Sequence, residues 1–273
     1  MSKYQIDRLI FVTAQNFFLG HFKEFLQESV PFGVGYMAAY MRDQGENVRI
    51  WDLNVRSRAA NDIAEATPND GEGTVFGISC LTAGASQAHQ FAKLIKEIAP
   101  KSRIVYGGIH PTALPEEAIE VGSADVVVKA EGEETLKELF RRWREGEDIV
   151  GMAGIVCRDD TGKIIHGPPA PVLIDLNDFP AFPYDLFDLS KYHLGMVLTS
   201  RGCPFDCIFC SQQMVTGRRF RYRHEQSVVD ELEFLIRDCG QPSIYFIDDM
   251  FNANPKRLHR LCKEIVARGL DKE

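Results

Sequence analysis

The sequence predicts an α/β fold in which strands and helices alternate, and three observations support this prediction. Short runs rich in β-branched residues recur in the first half of the chain, as in RLIFVT (8–13), TVFGIS (74–79) and RIVYGG (103–108). Amphipathic segments of helical length separate these runs, and turn residues bound both kinds of segment. The alternation predicts a doubly wound parallel sheet with helices on both faces, whose ligands bind at the carboxyl ends of the strands.

The first predicted domain covers residues 1–150 and has a Rossmann-like arrangement. Its helix at 32–45 begins after Pro31 and ends at Gly45, residues that suit those positions in a helix. The remaining elements predicted for this domain are strands at 47–52 and 124–130 and helices at 86–99 and 133–145.

A change of pattern between residues 151 and 192 predicts a domain boundary. The segment 151–166 reads as a hairpin, because two short apolar runs flank an Asp-Asp-Thr-Gly turn. The stretch that follows it is rich in proline and has no helical period. We therefore expect a hairpin and an ordered linker here, separate from the first domain.

The strand–helix rhythm resumes in a second predicted domain, residues 193–273. We expect a strand at 195–200, a cysteine-rich loop, a helix at 225–238, a strand at 243–248 and a helix at 255–268. Two strand–helix units cannot close a barrel, so this domain is expected to be incomplete.

Composition and charge exclude several classes of protein. The chain has 273 residues and a formal charge of −8, which argues against a nucleic acid as its general partner. No apolar run approaches the ~20 residues that a membrane span requires. Seven cysteines, an odd number with three clustered, argue against a secreted disulfide framework and favour a reducing cytoplasm.

The sequence SRGCPFDCIFCS (200–211) contains the strongest functional signal. Cys203, Cys207 and Cys210 have the spacing C-x3-C-x2-C on a loop directly after a predicted strand. Thiolates bind both iron–sulfur clusters and zinc, but a structural zinc site typically has a second Cys or His pair, whereas Cys239 and Cys262 are isolated. A cluster with one open iron is favoured; a structural zinc and three incidental cysteines are the alternatives.

This motif, with Phe209 before its last cysteine, resembles the signature of radical S-adenosylmethionine enzymes. The resemblance implies that the three thiolates hold a 4Fe–4S cluster and that S-adenosylmethionine chelates the fourth iron. It also implies a partial TIM barrel, of which residues 193–273 would be the first two βα units. Reductive cleavage of S-adenosylmethionine would then supply a radical that abstracts hydrogen.

The flanking residues strengthen the resemblance and suggest further contacts with S-adenosylmethionine. In relatives, the end of the second barrel strand contacts the amino group of this cofactor, and here that position falls on Asp248 and Asp249. Carboxylates suit an ammonium group, although both residues could instead cap the following helix. Basic residues at 218–224 could bind a carboxylate or phosphate, with Arg221 and Arg223 the best candidates, or could form a solvated loop.

The first domain resembles cobalamin-binding domains. Such domains carry S-x-L followed by a Gly-Gly pair, and this chain has Ser79-Cys80-Leu81 and then Gly107-Gly108. Small and hydroxyl-bearing residues at strand ends let a nucleotide tail approach the backbone closely. The segments 31–54, 106–118 and 130–139 extend the resemblance to the cobalamin-binding radical S-adenosylmethionine class.

One departure concerns the ligand below cobalt, because the family's D-x-H-x-x-G motif is absent. His21 and His110 are the nearby histidines, and each is expected to be a loop residue close to the corrin rather than an axial ligand. The resemblance then implies cobalamin bound with neither base nor histidine beneath cobalt. The alternative is a sheet that binds no cofactor.

The combined expectation is a cobalamin-dependent radical S-adenosylmethionine enzyme that methylates carbon or drives ring closure or rearrangement of a small-molecule substrate. Its partners would be that substrate and an external electron donor of the flavodoxin or ferredoxin type. The alternatives are a non-catalytic fragment, or a cobalamin or iron–sulfur module that acts as a sensor or an electron carrier.

Overall fold

The computed structural model describes residues 3–14, 28–170, 172 and 175–273. These residues form two compact units. Unit 1 comprises the described parts of Met1–Leu26, Gly33–Leu173 and Pro180–Phe187, and unit 2 comprises those of Gln27–Phe32, Ile174–Phe179 and Asp188–Glu273. His21, a histidine considered above, lies outside the described residues.

The strands and helices are numbered here in chain order. The strands are β1 (Arg8–Thr13), β2 (Glu28–Ser29), β3 (Val48–Asp52), β4 (Thr74–Ser79), β5 (Arg103–Gly107), β6 (Val126–Val128), β7 (Ile155–Arg158), β8 (Ile164–His166), β9 (Tyr192–His193), β10 (Met196–Val197), β11 (Ser200–Arg201), β12 (Arg221–Tyr222) and β13 (Tyr245–Phe246). The α-helices are α1 (Phe32–Asp43), α2 (Ala60–Ala66), α3 (Ala85–Ile98), α4 (Ile109–Ala113), α5 (Pro115–Glu120), α6 (Glu133–Glu145), α7 (Glu225–Glu233) and α8 (Pro255–Ala267).

Unit 1 is built on a seven-stranded sheet with the order β3-β1-β4-β5-β6-β7-β8. The first five strands are parallel, whereas β7 and β8 pair antiparallel at one edge. The predicted α/β class with a mostly parallel sheet is therefore confirmed. The hairpin that the sequence placed between domains instead extends this sheet, because β7 bonds directly to β6.

The helix that follows β6 shows why the sequence folds as it does. Glu133 and Glu134 lie in the first turn of α6, and Arg142 and Arg144 lie in its last turn, so the charges complement the helix dipole. Gly146 then ends the helix in the left-handed conformation, with φ of 75°.

The core of unit 1 consists of apolar residues from the sheet and the helices packed on it. Side chains such as Phe76, Ile104 and Ile63 are fully buried, and each contributes about 1.5–3 kcal/mol on burial. Two cysteines belong to this buried set. Burial raises the pKa of Cys80 to about 12 and that of Cys157 to about 11, so both thiols stay protonated.

Unit 2 contains shorter strand pairs and two helices. β10 pairs parallel with β13, β11 pairs antiparallel with β12, and β2 pairs parallel with β9. The single strand predicted at 195–200 is divided into β10 and β11. The backbone N–H of Thr199, between them, donates to the Asp248 carboxylate at 3.3 Å, so a side chain takes this hydrogen bond in place of a strand partner.

Candidate functional site

The three motif cysteines are carried on one loop of unit 2, directly after β11. Cys203 is half-buried, Cys207 and Cys210 are exposed, and all three are free thiols. The backbone N–H of Cys210 donates to the carbonyl of Cys207 at 3.0 Å, which forms a tight turn between the last two thiols. Phe209, between them, is 89% exposed. The loop thus presents three thiols and an aromatic ring to solvent on a short, turned backbone.

Gly202 and Asp249 hold the start of this loop. The φ of Gly202 is +83°, and a Cβ atom there would lie 2.3 Å from the carbonyl oxygen of Arg219. Asp249 accepts hydrogen bonds from the Gly202 N–H at 3.1 Å and from the Thr216 hydroxyl at 2.8 Å. The glycine before Cys203 is therefore required by both backbone conformation and close contact.

Asp248 connects the strand before the loop to the end of β13. Its carboxylate accepts from the Thr199 hydroxyl at 2.8 Å, from the Thr199 N–H and from the Ser200 hydroxyl. Buried Arg257 donates to the carbonyl of Thr199 at 3.1 Å. The sequence did not single out Thr199 or Arg257, because neither belongs to a local motif.

Arg221 is buried and bonded to backbone rather than exposed on a solvated loop. Its Nη2 donates to the carbonyl of Thr216 at 2.9 Å and its Nε to that of Arg219 at 3.2 Å. Arg223 donates to the carbonyl of Leu198 and pairs with Glu231 at 2.5 Å. Arg221 therefore supports the 216–219 segment beside the cysteine loop, whereas Arg223 is bonded to the backbone between β10 and β11.

A second group of predicted residues lies at the carboxyl edge of the unit 1 sheet. Ser79 and Gly107 are paired in register, so the ends of β4 and β5 are adjacent. Gly108 has φ of 92° and ψ of −168°, and a Cβ there would lie 2.7 Å from the Ser79 hydroxyl. A Cβ at Gly107 would meet only the Val128 carbonyl, at 3.7 Å. Leu81, just beyond β4, is 46% exposed.

His110 is buried just after this edge, at the start of α4. Its Nδ1 lies 3.3 Å from the Thr82 hydroxyl, and its Nε2 lies 3.6 Å from Glu117. A second buried histidine, His89 of α3, lies 3.8 Å from the same carboxylate. Burial is the main cause that lowers the pKa of His89, which favours its neutral imidazole. Sequence reasoning missed His89 and Glu117.

The residues fit the implied groups on structural grounds. Three free thiols on one loop supply three of the four ligands that a 4Fe–4S cluster takes, which leaves one iron open. At the sheet edge, Gly107 has no side chain, which allows the close backbone approach that a nucleotide tail would need. In the part of the chain that the structure describes, we find no helix with the length and apolar character of a membrane span.

Comparisons with known proteins agree with these features. Residues 22–140 match the B12-binding domain family. An uncharacterized methyltransferase of Pyrococcus horikoshii is 34% identical over 247 residues, which cover 88% of this chain and 53% of that protein. The anaerobic magnesium-protoporphyrin IX monomethyl ester cyclase of Rubrivivax gelatinosus is 26% identical over 255 residues, which cover 88% of this chain and 45% of the cyclase.

A solved structure shows the same fold. The radical S-adenosylmethionine methyltransferase TsrM of Kitasatospora setae superposes with a TM-score of 0.76 at 22% identity, over 96% of this chain and 51% of that chain. The present chain therefore spans about half the length of these relatives. The likeness that the sequence predicted is confirmed: the chain matches the B12-binding domain family over residues 22–140 and shares the fold of a radical S-adenosylmethionine methyltransferase.

Proposed function

We propose that this chain forms the cofactor-binding part of a cobalamin-dependent radical S-adenosylmethionine enzyme. Residues 1–150 would be its cobalamin-binding domain, with the hairpin at 151–166 extending the same sheet, and 193–273 would be part of its radical domain. The observation that carries the proposal is the single loop with three free thiols, Cys203, Cys207 and Cys210, fixed at its start by Gly202 and Asp249.

The thiolates of this loop would hold a 4Fe–4S cluster with one iron open to S-adenosylmethionine. When bound, the cluster supplies the electron that cleaves S-adenosylmethionine reductively. Phe209 offers an exposed aromatic surface beside the thiols for the cofactor to pack against. Asp248 and Asp249 fix the loop and its preceding strand, and we infer that they also accept hydrogen bonds from the amino group of S-adenosylmethionine.

Arg221 has a supporting role in this proposal. Its guanidinium is buried and donates to two backbone carbonyls of the 216–219 segment. The carbonyl of Arg219 in turn lies where a side chain at position 202 would be, so this arginine shapes the wall against which the cysteine loop begins. Loss of Arg221 is expected to disturb the loop before it disturbs any direct cofactor contact.

Cobalamin would bind at the carboxyl edge of the unit 1 sheet. Ser79 and Leu81 follow β4, Gly107 and Gly108 end β5, and His110 begins the next helix. Gly107 offers a backbone without a side chain at this edge, whereas Gly108 holds the turn beside Ser79. The buried His110 ring lies near Glu117 and Thr82, so we expect it to support this edge rather than to ligate cobalt.

The reaction of the whole enzyme would be methyl transfer to carbon, or radical ring closure or rearrangement, on a small molecule. The relatives named above are a methyltransferase and a porphyrin-ester cyclase, which supports both reaction types. We further propose a cytoplasmic setting, a flavodoxin- or ferredoxin-type electron donor and no nucleic-acid partner. The net charge of −8 supports the last point.

The test of the cluster is anaerobic reconstitution of the chain, with iron and sulfide analysis and electron paramagnetic resonance of the reduced protein. We expect a 4Fe–4S signal that changes when S-adenosylmethionine is added. Cys207→Ala should lose the cluster, and Cys262→Ala, at an equally exposed thiol outside the loop, should keep it. A chain that holds one zinc and no sulfide would refute the assignment.

Cobalamin binding is tested separately by equilibrium dialysis of aquacobalamin. Gly107→Ala adds a methyl group at the sheet edge that makes only an ordinary contact with the Val128 carbonyl, at 3.7 Å, so it should weaken cobalamin binding without lowering stability. If the wild-type chain retains no cobalamin, the cobalamin half of the proposal is wrong, and the assignment of the 4Fe–4S cluster is not affected.

A further inference from the structure

Unit 1 contains a cluster of potential metal ligands apart from the cysteine loop. His89 of α3, His110 of α4 and Glu117 of α5 each offer one ligand atom, and these atoms all lie within 4.8 Å of one another. Both imidazoles are buried, with His89 5% exposed and His110 3% exposed. Three helices that follow the adjacent strands β4 and β5 thus bring these side chains close together.

The distances within the cluster are too long for hydrogen bonds. Glu117 Oε1 lies 3.8 Å from His89 Nδ1 and 3.6 Å from His110 Nε2, beyond the usual 2.7–3.2 Å range. Among the residues that the structure describes, Nε2 of each histidine is buried without a hydrogen-bond partner. Buried polar nitrogens normally have partners, so His110 Nε2, which faces Glu117, calls for a bound group. His89 faces the same carboxylate through its Nδ1.

The surroundings fix the two rings in place. The Thr82 hydroxyl lies 3.3 Å from His110 Nδ1, and when it accepts that N–H, the lone pair of Nε2 faces Glu117. Gly122 makes room for His89, because a Cβ there would lie 2.7 Å from the imidazole Cδ2. Ligating histidines in proteins are commonly oriented in this way by a hydrogen bond at the second nitrogen.

We propose that His89, His110 and Glu117 bind a divalent transition-metal ion, with Zn²⁺ as the best match. Tetrahedral zinc with ligands at ~2.0–2.1 Å separates those ligands by about 3.3 Å. Glu117 lies 3.6 and 3.8 Å from the two histidines, and all three ligand atoms lie within 4.8 Å of one another, so binding requires the side chains to move together. The Glu117 side chain is 41% exposed, which gives the ion an entry path and leaves a fourth position for water. His110 belongs both to this site and to the edge proposed for cobalamin, but binding of the metal requires neither cobalamin nor the cluster.

The test uses the full chain with Cys203, Cys207 and Cys210 replaced by alanine, so that the thiol loop cannot bind the added ion. Zn²⁺ is titrated against a chromogenic chelator, and Co²⁺ is followed by its visible absorption. We expect one saturable site per chain. Glu117→Gln should weaken it at least tenfold, because loss of even an outer partner of a ligand commonly costs 10–100-fold in affinity. Thr82→Val should weaken it by about 10–100-fold through the orientation of His110.

Glu120→Gln is the matched control, because Glu120 is an exposed glutamate of the same helix and should leave binding unchanged. Unfolding of each variant without metal shows whether the fold is intact, and Glu117 is exposed enough to be replaced without loss of the core. Absence of saturable zinc binding in the thiol-free chain would overturn the proposal. Equal affinity of the Glu117→Gln and Glu120→Gln variants would overturn it as well.

Discussion

The two glycines at the end of β5 are expected to respond oppositely to the same substitution. Gly108 has φ of 92° and ψ of −168°, a region that is essentially limited to glycine, so an alanine there costs about 1–3 kcal/mol. Its Cβ would also lie 2.7 Å from the Ser79 hydroxyl. Displacing that side chain from its rotamer costs about 0.5–1.5 kcal/mol. Gly108→Ala should therefore destabilise unit 1 by roughly 2–4 kcal/mol.

Gly107→Ala provides the internal comparison. Its φ is not positive, and its added Cβ would meet only a carbonyl oxygen at 3.7 Å, an ordinary contact. Replacing such a glycine reduces the freedom of the unfolded chain, which stabilises by about 0.4–1 kcal/mol. The two substitutions are at adjacent positions, yet Gly108→Ala is expected to destabilise unit 1 and Gly107→Ala to stabilise it.

Urea unfolding followed by tryptophan fluorescence measures this difference. The two tryptophans, Trp51 and Trp143, both lie in unit 1 and are buried, so the signal reports on the unit that carries the substitution. With a slope of about 2 kcal/mol/M, Gly108→Ala should lower the midpoint by roughly 1–2 M. Equal midpoints for the two variants would refute the argument from backbone conformation.

Three further predictions concern other parts of the chain. Gly202→Ala should lose most of its reconstituted iron, because the new Cβ would lie 2.3 Å from the Arg219 carbonyl oxygen at a φ of +83°. Iron analysis together with far-ultraviolet circular dichroism checks this, and a full iron content would contradict it. At the start of α8, the side-chain oxygen of Asn254 accepts a hydrogen bond from the Arg257 N–H at 3.1 Å. Asn254→Ala should therefore lower the free energy of unfolding by ~1 kcal/mol, and Asn254→Asp should lower it little. Urea unfolding measures both variants, and equal losses would exclude the cap. Hydrogen bonds from neighbouring arginines, Arg141 first, lower the pKa of Glu138 to about 2 from 4.5, so its contribution is present above about pH 4.5 and is lost as pH falls toward 2. Since Glu138 is 38% exposed, Glu138→Gln should destabilise the chain by less than ~1 kcal/mol at pH 7 and not at all near pH 2. Paired urea titrations at the two pH values measure this. A loss of stability that persists in acid would contradict its origin in the ionised carboxylate.

The parallel sheet could be predicted because its strands are continuous apolar runs, a local pattern that burial on both faces produces. Helix α2 could not, because Ala59 at its N-cap has no capping side chain. The Asp62 carboxylate instead accepts the Ala59 N–H at 2.9 Å, from within the first turn. No helix was predicted at α4 or α5, because each is only five or six residues long and contains a proline, Pro111 or Pro115, so neither shows a helical period.

In the candidate sites, too, residues within one short segment could be predicted, whereas residues that meet only in the folded chain could not. The cysteine loop was predictable because all three thiols fall within one short segment, so spacing alone identifies them. The contacts of Asp248 with Thr199, and of Glu117 with His89, join residues far apart in sequence. Such contacts depend on how strands and helices pack, and a single sequence contains no local pattern that reports them.

The burial of Cys80 and Cys157 has a practical consequence for the chemistry of the thiols. An alkylating reagent at neutral pH reacts with accessible thiolates, so the exposed Cys207, Cys210 and Cys262 are modified in the folded chain. The buried pair, with pKa values raised to about 12 and 11, reacts only when unit 1 opens. The rate at which Cys80 and Cys157 are labelled therefore reports how often unit 1 opens.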